Sequence, residues 1–201
     1  MGIKTVLDVG ANVGNFTKMI SKILGNVNIY AFEPLGDCYK NLIENTKHIE
    51  NIKCFNSALG NSTATSFIYH NEFSPSSSLL RMEELHKNIF PHTKNEITEK
   101  IEVRELDSFE NEINWTRKIL LKIDVQGFEL NVLKGAIISL KKIDIIILEI
   151  SFVKFYENQT NFDEIYRFLS EMNFNFQGNF DQVKDPKTGK ILYVDAIFIK
   201  D

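Results

Sequence analysis

Apolar positions along this chain alternate between two rhythms. Ile3, Val6, Leu7 and Val9 form a short apolar run, and after a turn Phe16, Met19, Ile20, Ile23 and Leu24 recur at the spacing of one helix face. A buried strand therefore feeds straight into an amphipathic helix. The rhythm repeats with an apolar run over 27–32, a helical pattern over 35–48 carrying Tyr39, Leu42 and Ile43 on one face, and a third run over 52–55. Strand, helix, strand, helix, strand implies a parallel sheet with right-handed crossovers.

Residues 63–106 break this alternation. The pattern predicts a short strand over 66–70, a serine-rich loop over 73–80, a short helix over 82–90 and an alternating strand over 100–106. An insertion of this length inside a compact domain is usually functional, so it is expected to act as a lid or substrate wall, with 73–92 covering the acceptor. Alternation then resumes with strands over 119–125 and 143–150 and helices over 129–140 and 162–172. Two last strands, 174–180 and 192–199, are joined through Asp185-Pro186-Lys187-Thr188-Gly189, which leaves no room for a helix and predicts an antiparallel hairpin. The chain from 1 to 201 reads as one domain.

The first turn, Asp8-Val9-Gly10-Ala11-Asn12-Val13-Gly14-Asn15, sits where such folds bind nucleotides. Gly10 and Gly14 are expected to let the backbone approach a ligand, with helix N-terminal N–H groups free to bind it. A dinucleotide fingerprint counted from Gly10 needs glycine where Asn12 and Asn15 stand, and no Gly-Lys-Ser/Thr follows for a phosphate loop. S-adenosylmethionine, which has no phosphate, is the remaining common ligand, and Asp8 suits its ammonium group. A strand-helix connection with incidental glycines stays open, as does a nicotinamide cofactor.

Asp8, Glu33, Asp124 and Glu149 each lie at the C-terminal end of an apolar run, and such ends form one rim of a parallel sheet. Glu33 follows Gly14 at the spacing from which an acid reaches ribose hydroxyls. Ser57 and Ala58, after the third strand, are placed to flank an adenine. Asp124 is placed near the transferred methyl, with Lys122 on the same face. Glu149 and the insertion's His70, His86 and His92 are the other candidate proton acceptors; of these, Glu149 and His92 stand beside Asp124 as catalytic candidates.

Composition narrows the partners. With 23 Lys+Arg against 27 Asp+Glu, the net charge of −4 gives no electrostatic footprint for nucleic acid or an anionic membrane. No apolar run approaches a membrane span and the N-terminus has no leader pattern, so a cytoplasmic protein is expected. Cys38 and Cys54 read as reduced thiols, and no Cys/His spacing suggests a metal site.

Taken in order, DVGANVG (8–14), FEP (32–34), SSSL (76–79), LDS (106–108), KIDVQGFE (122–129), LKGA (133–136), LEIS (148–151) and DAIF (195–198) resemble an FkbM-family methyltransferase. The resemblance covers nearly the whole chain. It implies a class I methyltransferase (Rossmann-like) fold: three α/β/α layers around a mostly parallel seven-stranded sheet whose last strand is antiparallel. It also implies S-adenosylmethionine as cofactor and a hydroxyl of a sugar, glycan or secondary metabolite as acceptor. Residue by residue, Asp8 to Gly14 would hold the methionine part, Glu33 the ribose, and Asp124 would sit by the methyl. Gln126 stands where the family usually has glutamate. A silent S-adenosylmethionine-binding protein and an N-methyltransferase are the competing readings.

Overall fold

The computed structural model describes residues 2–70, 77–81, 83 and 97–201, with His70 described by its backbone alone. The expected short helix over 82–90 and the proposed acceptor His92 lie outside the described residues, as do His86 and most of the 73–92 segment. A seven-stranded sheet runs in the order β3-β2-β1-β7-β8-β10-β9. Its strands are β1 (Thr5–Val9), β2 (Asn28–Phe32), β3 (Ile52–Phe55), β7 (Ile119–Ile123), β8 (Ile145–Ser151), β9 (Phe174–Lys184) and β10 (Ile191–Lys200). All neighbours pair in parallel except β10, which runs antiparallel to both β8 and β9.

Strand alternation sorts the apolar side chains into two layers. Val6, Ile29 and Leu120 face Phe16, Ile20 and Leu24 of α1 (Asn15–Leu24), and Ala31 meets Leu42 of α2 (Gly36–Thr46). Leu7, Val9, Leu121, Ile123 and Leu148 face the other way. They bury Val132 and Leu133 of α3 (Glu129–Lys134) and Ile165 and Leu169 of α4 (Phe162–Glu171). Each such buried aliphatic side chain contributes about 1.5–3 kcal/mol, so the two-sided sheet is the energetic centre. α4 starts cleanly because Asn161 and Glu164 form a reciprocal capping box. No described helix is long and apolar enough to cross a membrane.

Two expected boundaries move. The helical pattern over 129–140 stops at Lys134 and resumes only as a single 3-10 turn, Ser139–Lys141. The cause is packing: a Cβ on Gly135 would lie 1.9 Å from the Gly60 carbonyl oxygen, so two backbones touch there. Asp107 then accepts the N–H groups of Ile138 and Ser139 and the Ser139 hydroxyl, fixing the break. The hairpin strand expected over 174–180 extends to Lys184, since it pairs along nearly the full length of β10.

The insertion is organised around its own sheet, β4-β6-β5, formed by β4 (Ala58–Leu59), β5 (Ala64–His70) and β6 (Ile97–Arg104). β5 and β6 pair antiparallel, while β4, which the sequence pattern leaves as loop, pairs parallel with the end of β6. Ile68, Ile101 and Val103 of this sheet pack with Leu35, Cys38, Ala58 and Leu79. Ser78 adds a bridge to Tyr69, their backbones exchanging hydrogen bonds at 2.8 and 2.9 Å.

Candidate active site

The chain leaves β1 toward one sheet edge and returns through β7 toward the other, so the crevice beyond their C-terminal ends is the topological switch point. A cavity of about 360 Å³ lies there, within the usual size range of small-molecule sites. Its wall draws on the first turn, the Glu33 turn, the Ser57–Leu59 stretch, the insertion's Ser77 to Leu79, and Lys122 to Gln126.

The first turn is closed on itself. The N–H groups of Gly10 and Ala11 both donate to the Phe32 carbonyl, Gly14 N–H donates to Ala11, Val13 N–H to the Asn12 side chain, and Asn12 N–H to Glu33 Oε2 at 2.8 Å. The N–H groups inside the turn are therefore used internally, which leaves the first N–H groups of α1, from Asn15 onward and with no side-chain cap, as the donors the sequence expectation concerns. With Gly10, Asn12 and Gly14 all at positive φ, the turn curls back toward β2 and spends its donors there. The two glycines also serve packing. A Cβ on Gly10 would lie 1.9 Å from the Asp124 carbonyl oxygen, and one on Gly14 would lie 2.8 Å from Leu42.

Of the residues expected to hold a cofactor, Gly10, Asn12, Asn15, Glu33, Ser57, Ala58 and Asp124 line the cavity. Gly14 and Asp8 do not. Gly14 faces α2, and Asp8 is fully buried behind the wall, where its Oδ2 accepts the Thr17 hydroxyl at 2.6 Å and its Oδ1 lies 3.7 Å from Lys122 Nζ. Burial pushes the Asp8 carboxyl above its usual pKa, against the pull of Lys122 and Thr17. An acid so placed faces Lys122 and does not line the cavity.

Glu33 is 5% exposed, and its second oxygen accepts Leu35 N–H at 2.9 Å. Burial pushes its pKa up to about 7, in spite of the two backbone donors from Leu35 and Asn12. Each oxygen keeps a second lone pair, which suits a pair of ligand hydroxyls. Ser57 spends its hydroxyl on its neighbour's carbonyl, so what it and Ala58 offer a ligand is a small, close wall.

At the opposite end Asp124 accepts Lys122 Nζ at 3.2 Å on Oδ2 and Gln126 Nε2 at 2.8 Å on Oδ1. Burial alone would lower the Lys122 pKa, but Asp124 and Asp8 override it and raise it, so the ammonium is fully charged. Glu149 stands behind Gln126 and does not line the cavity. Burial first, then Asp124, Glu129 and Asp195, push its pKa well up. Glu129 accepts the N–H groups of Val125 and Gly127 and closes the turn from below; burial brings its pKa up to about 7.

Tyr156, which the sequence reading left out, donates its hydroxyl to Gln126 Oε1 at 2.8 Å and is 1% exposed. Nothing in its local sequence marks it, because it reaches the site from the loop after β8. Ser78 was legible only as part of SSSL; its hydroxyl donates to the Gln126 carbonyl at 2.6 Å. Among the described residues no group of His, Cys, Asp and Glu side chains is arranged to hold a metal ion.

The family profile described as "Methyltransferase FkbM domain" matches residues 8–176, from Asp8 at the first turn into β9. "Methyltransferase 1" of Beauveria bassiana (strain ARSEF 2860) is 26% identical over 142 residues, which cover 65% of this chain and 57% of that protein. The crystal structure of methyltransferase FkbM from Methylobacillus flagellatus KT superposes with a TM-score of 0.59 at 15% identity, covering 98% of this chain and 44% of that one. Magnesium protoporphyrin IX methyltransferase (ChlM) from Synechocystis PCC 6803, solved with bound SAM, gives 0.54 at 8% identity over 99% of this chain and 71% of that one. The chain thus spans about half the length of its FkbM relative and of the Beauveria protein, and these structural likenesses establish the fold. With its profile spanning the rim residues from Asp8 to Glu149, the chain belongs to the FkbM family of S-adenosylmethionine-dependent methyltransferases.

Proposed function

We propose that this protein transfers the methyl group of S-adenosylmethionine to a hydroxyl of a sugar, glycan or secondary metabolite. The observation that carries the cofactor side is the first turn. Its N–H groups from Gly10 to Gly14 are spent internally, and the acidic Glu33 beside it disfavours a pyrophosphate while keeping lone pairs for a ribose diol. Small residues at Ser57 and Ala58, with Ile68 and Leu79, line an apolar part of the cavity that suits the base.

When bound, S-adenosylmethionine supplies an electrophilic methyl on a sulfonium. Asp124 then has two tasks on the acceptor side: it orients the hydroxyl and takes its proton as the oxygen–methyl bond forms and the carbon–sulfur bond breaks. Lys122 and Gln126 each occupy one of its oxygens and hold the carboxylate still. Ser77 to Leu79 of the insertion wall the same cavity, which fits a cover over the acceptor.

The test has two steps. Calorimetry is expected to show S-adenosylmethionine and S-adenosylhomocysteine binding and no comparable binding of NAD. Labelled methyl is then offered to a panel of sugars, hydroxylated metabolites and RNA, with incorporation expected in the hydroxyl compounds. Label found in RNA bases would replace the acceptor reading, and tight NAD binding would overturn the cofactor reading.

A further inference from the structure

The turn after β7 converges on one side chain. Gln126 has a left-handed backbone, φ 55°, and its amide nitrogen lies 2.8 Å from Asp124 Oδ1 and 3.4 and 3.5 Å from the two oxygens of Glu149. Its amide oxygen accepts the Tyr156 hydroxyl and its main-chain carbonyl accepts Ser78. The chemistry fixes which way the amide faces. A carboxylate offers lone pairs, so the NH₂ group turns toward Asp124, and burial keeps the Tyr156 phenol protonated as the donor to the carbonyl. Two carboxyl groups brought together from adjacent strand ends ordinarily share a proton. Here the hydrogens of a neutral amide fill that place.

We propose that Gln126 is a positioning residue of the methyl-transfer site: its amide, oriented by Tyr156, holds Asp124 and Glu149 side by side and fixes the Asp124 carboxylate at the cavity, in place of a shared proton. This rests on the reading of Asp124 given above, but its test needs no acceptor. The charged and titratable groups around the amide come from every neighbouring element. Asp124 and Lys122 belong to the end of β7, Glu149 to β8 and Glu129 to α3, and β10 brings Asp195 and Tyr193, with Asp181 of β9 behind them. Among the described residues Lys122 is the one cation of this group, and it is already engaged by Asp124 and Asp8.

Gln126→Glu places a carboxyl in the same volume. Protonated, it donates to Asp124 and accepts from Tyr156 as the amide does; ionised, it sets a new negative charge against Asp124 and beside Glu149, whose own proton burial already holds tightly. The folded variant therefore binds this proton more tightly than the unfolded chain. Its stability deficit against wild type is absent below the ordinary carboxylate pKa and grows as pH rises.

The experiment is thermal unfolding of wild type, Gln126→Glu, Gln126→Met and Tyr156→Phe from pH 5 to 8.5, with S-adenosylhomocysteine calorimetry at both ends. Gln126→Glu is expected within about 2 °C of wild type at pH 5 and about 6–12 °C below it at pH 8, with affinity for S-adenosylhomocysteine falling in parallel. Tyr156→Phe removes a hydrogen bond and no charge, so its deficit should be the same at every pH. Should Gln126→Glu fail to fold even at pH 5, Gln126→Met decides, since it removes the amide hydrogens and its deficit must also grow with pH. A deficit that stays flat with pH in the deciding variant overturns the inference and leaves the cofactor reading intact. Wild type that binds no S-adenosylhomocysteine overturns that reading, and the unfolding data still judge Gln126.

Discussion

The two ends of the cavity are built from different materials. At the Glu33 end the carboxylate is held by backbone, the N–H groups of Asn12 and Leu35, with Asn56 bracing the Glu33 and Pro34 carbonyls. At the Asp124 end the carboxylate is held by side chains, Lys122 and Gln126, with Glu149 and Tyr156 behind them. Backbone donors do not change with sequence, so the first arrangement suits a ligand that never varies. Side-chain donors change with one substitution, which suits the end where a reaction or an acceptor is chosen.

The largest expected effect joins the two ends. Gly10→Ala would drive a Cβ into the Asp124 carbonyl at 1.9 Å and strain a φ of 80°. It should cost about 4 kcal/mol or more, lowering Tm by about 8–16 °C; a variant that melts like wild type would mean the ends are not in contact. At the reactive end, Asp124→Asn is expected to lower turnover by about 10²–10⁴-fold on an acceptor found by labelling, with S-adenosylmethionine affinity little changed. Equal losses in turnover and cofactor affinity would move Asp124 to the cofactor's side.

At the backbone-held end, Glu33→Ala should weaken S-adenosylmethionine binding by about 10–100-fold, the value of a charged hydrogen-bonding partner. It should also lower Tm, because Asn12 and Leu35 N–H lose their acceptor. An unchanged dissociation constant removes Glu33 from the site. The smallest effect spans both ends. Burial holds Glu33 and Glu129 at about pH 7, above their unfolded values. Their contribution to stability is complete below the unfolded pKa and is lost as pH rises through 7. Wild type without ligand should thus melt at a lower temperature at pH 8.5 than at pH 5.5, and Glu33→Ala should remove its share of that slope while Glu129 and Glu149 keep theirs.

The contrast between the ends is also a contrast in what the sequence discloses. The succession of strands and helices, the placing of Glu33 and Asp124 at strand ends and the closing hairpin follow from apolar rhythm, because a strand buried on both faces cannot hide its composition. What escaped were contacts between elements distant in sequence. The use of the turn's N–H groups depends on where Phe32 and Glu33 lie beside it, and the enclosure of Asp8 depends on where Thr17 and Lys122 meet it. The break at Gly135 depends on Gly60, 75 positions earlier, meeting its backbone. Tyr156 became part of the site only once β8 and β7 were neighbours.

The small sheet has a consequence for how such a protein changes over generations. The chain enters the insertion along β4 and leaves it along β6, and those two strands are hydrogen-bonded partners, Ala58 beside Val103 and Leu59 beside Arg104. The insertion is therefore closed at its base. Whatever lies between 64 and 97 hangs from a closed stem, and doubling its length would cost only about 0.6 kcal/mol of closure entropy. Changes within that cassette would reshape the mouth of the cavity while Glu33 and Asp124 kept their places on the sheet's rim, but Ile68 and Leu79 lie in it and line the cavity, so the proposed site of the base would change with the mouth.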